Sequence, residues 1–402
     1  MKITDKQIKA YALKNAVTYN GKAQQGSVLS SLFHEGLDKK DVKKYVSTIS
    51  KIISEVNSLS LEEQKKEYEK LKEKVSERKI REGLPELSDV KSKGVIMRFA
   101  PSPSGALHIG HALTSCISFD YVKEYGGTFY VRIEDTNPDN IYPPAYKLIE
   151  KDSEWLFDKK AKIIIQSDRM DLYYSYAEKL ISKDKAYVCT CSGDEFRKYS
   201  IKKQECPCRN LEIKEQKIRW KKMLDKKGYE PGQAVLRFKS SDGMTNPNPA
   251  MRDFPLARIN LTKHPKQGTK YRVWPLMNLS VSVDDMEEKM THIIRAKDHR
   301  DNATRQKMIY EVFNKKYPWE AYLGRWKLKD MNLSSTEITA GIKSGKFSGW
   351  DDLKLLTVAS LKKQGYKPQA FWKLAEQIGL SESDKTIDKQ EFFKLLKTFN
   401  RG

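Results

Sequence analysis

The chain has 402 residues, enough for two to four domains and a sizeable core. Hydrophobic residues make up 39% of it, no apolar stretch reaches the ~18 residues a membrane span requires, and Met1-Lys-Ile-Thr-Asp-Lys-Gln lacks the apolar core of a secretion signal. These features exclude a membrane or secreted class and predict a cytoplasmic protein, while the 75 Lys+Arg against 53 Asp+Glu, a net charge of +22, favour a polyanionic partner bound through salt-sensitive phosphate contacts.

Residues 1–90 read as helices. Ile8, Ala10, Tyr11, Leu13, Ala16 and Val17 fall at helical spacing, Asn20-Gly21 marks a turn, and Ser60-Leu-Glu-Glu63 is a capping box ahead of a Lys/Glu-rich helix. From 91 to 190 strands and helices alternate. Gly94-Val-Ile-Met-Arg-Phe-Ala100 is a buried strand, Pro101, Pro103 and Gly105 break it, and a helix begins at the tetrapeptide His108-Ile-Gly-His111. Gly127 to Glu134 and Ile163-Ile-Ile165 supply two more strands. Such alternation predicts an α/β fold with a parallel sheet, ligands gathering at the carboxyl ends of its strands. A strand–loop–helix turn is there a natural phosphate site, because the first helical N–H groups lack partners. Two imidazoles can donate to a triphosphate, and Gly110 lets a nucleoside approach the backbone.

The alternation breaks at residues 191–275. Cys189-x-Cys191 and Cys206-x-Cys208, a charged helix from Leu211 to Lys227, the turn Asn246-Pro-Asn-Pro and short strands read as an insertion. Paired cysteines in a reducing compartment read as metal ligands before disulfides, and four thiolates close a tetrahedral, structural Zn²⁺ site. Cys116 stands alone as a small core residue. The sheet is expected to resume in 276–330, at Val281-Ser-Val-Asp-Asp285 and Thr291-His-Ile-Ile-Arg-Ala296, followed by a helix from Asp298-His-Arg to about Lys316. Residues 331–402 read as helical and basic, with a break at Lys362-Lys-Gln-Gly-Tyr366 and a last amphipathic helix from Asp388 to Phe399.

His108-Ile-Gly-His111 resembles the HIGH signature of class I aminoacyl-tRNA synthetases, and the string from Arg98 through Ala100-Pro-Ser-Pro-Ser-Gly to His111 resembles their glutamyl branch. Tyr11-Ala-Leu-Lys-Asn-Ala, Gly21-Lys-Ala-Gln, Asp253-Phe-Pro-Leu-Ala-Arg-Ile and His264 through Pro275 resemble the archaeal type, so the likeness runs along nearly the whole chain. The resemblance implies a Rossmann-like catalytic domain in two halves (91–190 and 276–330), an insertion (191–275) that holds the tRNA acceptor end and carries a zinc knuckle, a helical N-terminal extension (1–90), and a helical stem-contact region (331–402). The implied reaction joins L-glutamate to the 3′ end of tRNA-Glu, with tRNA-Gln open as a second acceptor, at the expense of ATP with Mg²⁺.

Residue roles follow from the resemblance. Ala100, His108, Gly110 and His111 would hold ATP. Arg98, Ser102, Glu134 and Arg295 would hold glutamate, Arg98 on its side-chain carboxylate and Glu134 on its ammonium, with Tyr271 and Asn278 in the same region. The second signature, Lys-Met-Ser-Lys-Ser, falls in register on Asn332-Leu-Ser-Ser-Thr336. Ser334 keeps the hydroxyl, but both lysines are missing, leaving Lys327, Lys329 and Lys343 as candidate cations. Archaeal members continue into anticodon-reading β-barrels, and no run of alternating strands is expected after 330. A monomer is expected. A glutaminyl-tRNA synthetase and a non-catalytic tRNA-binding paralogue stay open as alternatives.

Overall fold

The computed structural model describes residues 3–75, 83–329 and 335–401. The chain divides into two compact units, Met1–Arg81 and Glu82–Gly402.

The first unit is helical: α1 (Asp5–Thr18), α2 (Gln25–His34), α3 (Val42–Asn57) and α4 (Leu61–Leu71). Thr4 and Ser60 cap α1 and α4, each within a capping box closed by Gln7 or Glu63. Asn20 and Gly21 take left-handed backbone after α1 (φ 50° and 89°), which the short polar side chain of asparagine and the missing Cβ of glycine allow. Ile8, Leu13, Val28, Ile49 and Val56 are fully buried between the helices.

The second unit begins with β1 (Val95–Phe99), α5 (Ile109–Tyr125), β2 (Gly127–Ile133), α6 (Ala145–Leu156), β3 (Ala161–Ile165) and α7 (Met170–Ser182). The strands are parallel in the order β1-β2-β3, with Val95 opposite Gly127 and Phe129 opposite Ala161. Next come β4 (Ala186–Cys189), α8 (Gly193–Lys202), α9 (Ile213–Leu224), β5 (Val235–Phe238), β6 (Pro255–Ile259) and β7 (Val273–Pro275). These four strands form an antiparallel sheet in sequence order. Because β4 pairs with β5, this sheet starts at Ala186, upstream of the break read from the sequence at 191.

The chain then forms α10 (Met277–Glu287), β8 (His292–Ala296), α11 (Arg300–Val312) and β9 (Trp319–Leu323). β8 pairs parallel with β9, and Thr291, just before β8, donates its N–H to the Ile96 carbonyl of β1 at 3.0 Å. The run β3-β2-β1 thus meets β8-β9 at the point where chain order reverses, the position at which open α/β sheets form their ligand crevice. Finally β10 (Trp326–Leu328), α12 (Ser335–Lys343), α13 (Val358–Lys363), α14 (Pro368–Ile378), β11 (Lys385–Ile387) and α15 (Lys389–Arg401) complete the unit.

Two sequence expectations change. Val281–Asp285 lies in α10 and not in a strand. Eight consecutive residues, Asn278 to Asp285, are buried, so the helix lacks a polar stripe and its periodicity cannot separate it from a buried strand. In the C-terminal region expected to be helical, Lys385-Thr-Ile387 pairs parallel with β10, a three-residue strand too short to leave an alternation.

Candidate active site

Chain direction explains the turn at residues 100–111. Pro101 and Pro103 cannot donate to a ladder, so β1 stops, while their carbonyls accept the N–H groups of Glu134 and Tyr142, both at 2.9 Å. This ties the loop after β1 to the segment after β2. Gly105 is required by its neighbour: a Cβ there would lie 2.3 Å from the Trp350 ring.

His108 is the N-cap of α5, and its Nδ1 accepts the N–H groups of Gly110 (3.1 Å) and His111 (3.4 Å). The next N–H of the turn is also engaged, since Ile109 donates to the Leu356 carbonyl at 2.9 Å. The open set of helical N–H donors expected from the sequence is therefore closed within the protein, because an imidazole caps the helix in place of an anion. What faces outward is different. With Nδ1 of His108 accepting, hydrogen-bond logic places its proton on Nε2, a donor with no partner among the described residues. The His108 and His111 rings stack, centroids 3.7 Å apart and 21° from parallel. Burial pulls His108 down to about 4, and burial together with the neighbouring His108 takes His111 well below its ordinary value. Both imidazoles are neutral at pH 7.

Two further contacts brace the turn. Val358 donates to the Leu107 carbonyl at 2.8 Å, which with the Ile109–Leu356 bond forms a short antiparallel bridge. The Leu107 N–H donates to Asp152 Oδ2 at 3.1 Å; burial raises this carboxyl to about 7.

At the crevice floor lies a buried ionic network. Arg98 grips Asp285 with two bonds, Nε to Oδ1 at 2.7 Å and Nη2 to Oδ2 at 3.0 Å. Arg132 donates to the same Asp285 Oδ1 at 2.6 Å and to Glu134 Oε1 at 3.0 Å. Although burial opposes it, Arg98 and Arg132 hold the Asp285 carboxyl well below the usual carboxylate range. Beside it, Asp284 accepts from Arg169 Nε at 2.8 Å, Gln166 Nε2 at 2.8 Å and the Tyr173 hydroxyl.

Arg295, in β8, donates to Gln306 Oε1 at 2.9 Å and the Tyr317 hydroxyl at 3.1 Å. Gln306 also reaches Asn278 Oδ1 at 3.5 Å, and Asn278 reaches Asn302. His299 sits among these charges, its imidazole lowered by burial and by Arg295. Arg98 and Glu134 are thus brought together through Arg132, and Arg295 and Asn278 through Gln306. Ser102 is exposed and Ala100 half-buried on the loop after β1. Tyr271 stands elsewhere, its hydroxyl on Asp171 at 3.2 Å and its ring edge-on to Trp274 and Tyr174. Ser334 lies outside the described residues. Lys327 shares a small apolar cleft with Ile109, Gly110 and Leu113. Sequence reasoning did not single out Arg132, Asp284, Asp285 or Gln306. The one available signal was a pair of carboxylates inside an otherwise apolar run.

In the antiparallel lobe, the sulfurs of Cys189, Cys191, Cys206 and Cys208 all lie within 4.8 Å of one another. Cys189 and Cys206 are 3.8 Å apart, and Cys191 and Cys208 3.9 Å. Four ligands at the Zn–S length of about 2.3 Å in a tetrahedron stand about 3.8 Å apart, so the donor set fits that metal. Thr190 N–H points at Cys208 Sγ (3.4 Å), and Arg219 Nη1 lies 3.5 Å from it, as a thiolate cluster requires.

A parallel sheet with a reversal crevice, roofed by a helix that opens on His-Ile-Gly-His, defines a nucleotide-using enzyme of the class I tRNA synthetase type. Residues 94–400 match the family tRNA synthetases class I (E and Q), catalytic domain, and the chain belongs to it. It is therefore an aminoacyl-tRNA ligase that uses ATP, an amino acid and tRNA. It is 41% identical to the glutamate--tRNA ligase of Methanocaldococcus jannaschii over 98% of this chain and 70% of that protein. With the glutamate--tRNA ligase of Pyrococcus furiosus the identity is 41% over 94% of this chain and 67% of that protein. A glutamate tRNA ligase from Elizabethkingia meningosepticum, solved in complex with its amino acid, shares the fold with a TM-score of 0.53 at 21% identity, over 77% of this chain and 69% of that one. No described helix is long and apolar enough to cross a membrane.

Proposed function

We propose that the chain is a glutamate–tRNA ligase, active as a monomer in the cytoplasm. The observation that carries the reading is the pair of guanidiniums, Arg98 and Arg295, at the carboxyl ends of β1 and β8, in a chain about 41% identical to glutamate--tRNA ligases along almost its full length. A dicarboxylate needs two cations, and its ammonium needs one anion. Arg98 takes the side-chain carboxylate, with Ser102 on the loop that follows its strand; Arg295 and Asn278 line the opposite wall, and Glu134 takes the ammonium. Tyr271, whose hydroxyl is on Asp171, takes no part in this arrangement.

ATP lies along the loop from Ala100 to His111, its base against Gly110. An α-carboxylate oxygen of glutamate attacks the α-phosphorus, and the bond to pyrophosphate breaks. The neutral Nε2–H groups of His108 and His111 donate to the phosphate oxygens, where charge builds in the transition state. Mg²⁺ arriving with the triphosphate would neutralise part of that charge. The terminal ribose hydroxyl of the tRNA then attacks the glutamyl carbonyl, and AMP leaves. Ser334 serves the pyrophosphate side, and Lys327, beside Gly110, supplies the cation that the signature loop lacks. Cys189, Cys191, Cys206 and Cys208 hold a structural Zn²⁺, with no ligand position left for chemistry, in the lobe that receives the acceptor end of tRNA-Glu.

The test is ATP–pyrophosphate exchange and aminoacylation, each with tRNA present, with glutamate and glutamine in competition. Glutamate-dependent exchange supports the reading. Preference for glutamine would assign the chain to the glutaminyl branch, and absence of exchange with either would make it a tRNA-binding paralogue.

A further inference from the structure

The substrate-facing residues of the crevice do not stand on their own. Arg98, proposed above to bind the glutamate side chain, presents Nε and Nη2 to Asp285 as a two-pronged pair at 2.7 and 3.0 Å. Its third nitrogen, Nη1, has no partner among the described residues. A guanidinium is planar, so fixing one edge fixes where the remaining N–H groups point. Arg132 is fully buried and divides its donors between Asp285 and Glu134, the residue proposed for the ammonium. The Glu134 side chain keeps 17% exposure and so reaches the crevice. Asp285 itself is 1% exposed and cannot meet a substrate. It stands on α10, a different element from both strands, 187 residues from Arg98.

We infer that Asp285 is a positioning residue for amino-acid recognition: one buried carboxylate sets Arg98 directly, and Glu134 through Arg132, so that the cation and anion that receive glutamate are aligned before it arrives. Without Asp285, Arg98 must be ordered by the substrate at the moment of binding. A long side chain gives up much rotamer freedom in that step, and the loss falls on glutamate affinity. ATP binding, which uses the loop from Ala100 to His111, is spared. A competing effect runs the other way, since Asp285 shields Arg98 from an incoming carboxylate. The two effects predict opposite changes in glutamate KM. Ordering dominates here because Asp285 accepts both bonded nitrogens of the buried Arg98, which has no other acceptor among the described residues, whereas Arg132 would keep Glu134 and Asp284.

This inference rests on the assignment of Arg98 to the glutamate side chain, and the experiment separates the two. Asp285→Asn, Asp285→Glu and Arg98→Lys are assayed by pyrophosphate exchange with tRNA present, varying glutamate and ATP independently. Asp285→Asn is expected to raise the glutamate KM on the order of 10–100-fold, the range of a lost charge-assisted hydrogen bond, and to leave the ATP KM within about threefold. Asp285→Glu restores the charge and recovers part of the loss. A merely structural role would lower the active fraction, and with it kcat, while leaving both KM values in place. An unchanged or lowered glutamate KM in Asp285→Asn, with a raised one in Arg98→Lys, overturns the inference and leaves the substrate reading intact. An unchanged glutamate KM in Arg98→Lys overturns the substrate reading instead. Should the Asp285 variants fail to fold, nitrogen NMR of the unsubstituted protein decides. A slowly rotating Arg98 guanidinium before glutamate is added supports the inference, and a freely rotating one overturns it.

Discussion

The ring of His108 lies flat on the ring of His111, 3.7 Å between centroids, while its Nδ1 caps the helix that His111 helps to begin. One side chain thus does two jobs, and substitutions can separate them. His108→Ala removes both cap and phosphate donor. It is expected to lower kcat for adenylate formation on the order of 10²–10³-fold and to cost about 1 kcal/mol of stability. His108→Asn keeps a good capping acceptor, so it should recover the stability and leave kcat low. Single-turnover activation and thermal melts on the two variants check this; equal kcat for wild type and Asn would refute the donor role.

The cysteine cluster makes a metal prediction. Purified protein should carry about one Zn²⁺ per chain, and chelation should open the lobe around β4 and β5, because a closed thiolate site contributes folding energy directly. The readout is aminoacylation against ATP binding: the first should fall with metal loss, the second should persist. Four freely titrating thiols in the native protein would exclude the site.

Asp152 gives a pH dependence of definite sign. Its folded-state value is raised from 3.8 to about 7, so between these limits the folded protein binds the extra proton. Stability from this group is therefore full below about pH 4 and declines as pH rises towards 7. Asp152→Asn keeps an acceptor for the Leu107 N–H and removes the titration. It should match wild type near pH 4 and exceed it at pH 8, by an amount on the order of 2–4 kcal/mol. Denaturant midpoints at the two pH values measure the difference, and a parallel shift at both would show that Asp152 is ionised throughout.

The missing signature lysines make Lys327 accountable. Lys327→Ala should lower kcat for activation on the order of 10-fold or more, with the glutamate KM little changed, as expected for a cation that meets pyrophosphate only as it leaves. Lys329→Ala and Lys343→Ala are the controls. A loss confined to either would move the role to that residue.

What the sequence disclosed is largely what is local. The strand, the two prolines, Gly105 and the His-Ile-Gly-His turn are contiguous, and so were readable as a unit. Paired cysteines declared a cluster because two short spacings suffice for the chemistry. The network beneath the substrate site was hidden for the opposite reason. Arg98 and Asp285 meet across 187 residues of chain, and α10 is buried on almost every side, so it carries no stripe to betray it as a helix. The capping role of His108 was also out of reach. Sequence shows that a helix begins there, but only the folded structure shows that the His108 imidazole accepts the N–H groups of Gly110 and His111.

The bridge that joins Leu107 and Ile109 to Leu356 and Val358 sets a schedule for biosynthesis. A ribosome emits the His-Ile-Gly-His letters early, yet the backbone partners that hold them in place emerge about 250 residues later, well over ten seconds at usual elongation speeds. During that interval the β1–β3 layer can form while its catalytic turn stays unlatched. A nascent chain arrested before Val358 would contain every residue proposed to touch ATP, those of the second signature included, and still lack the latch that gives them one shape.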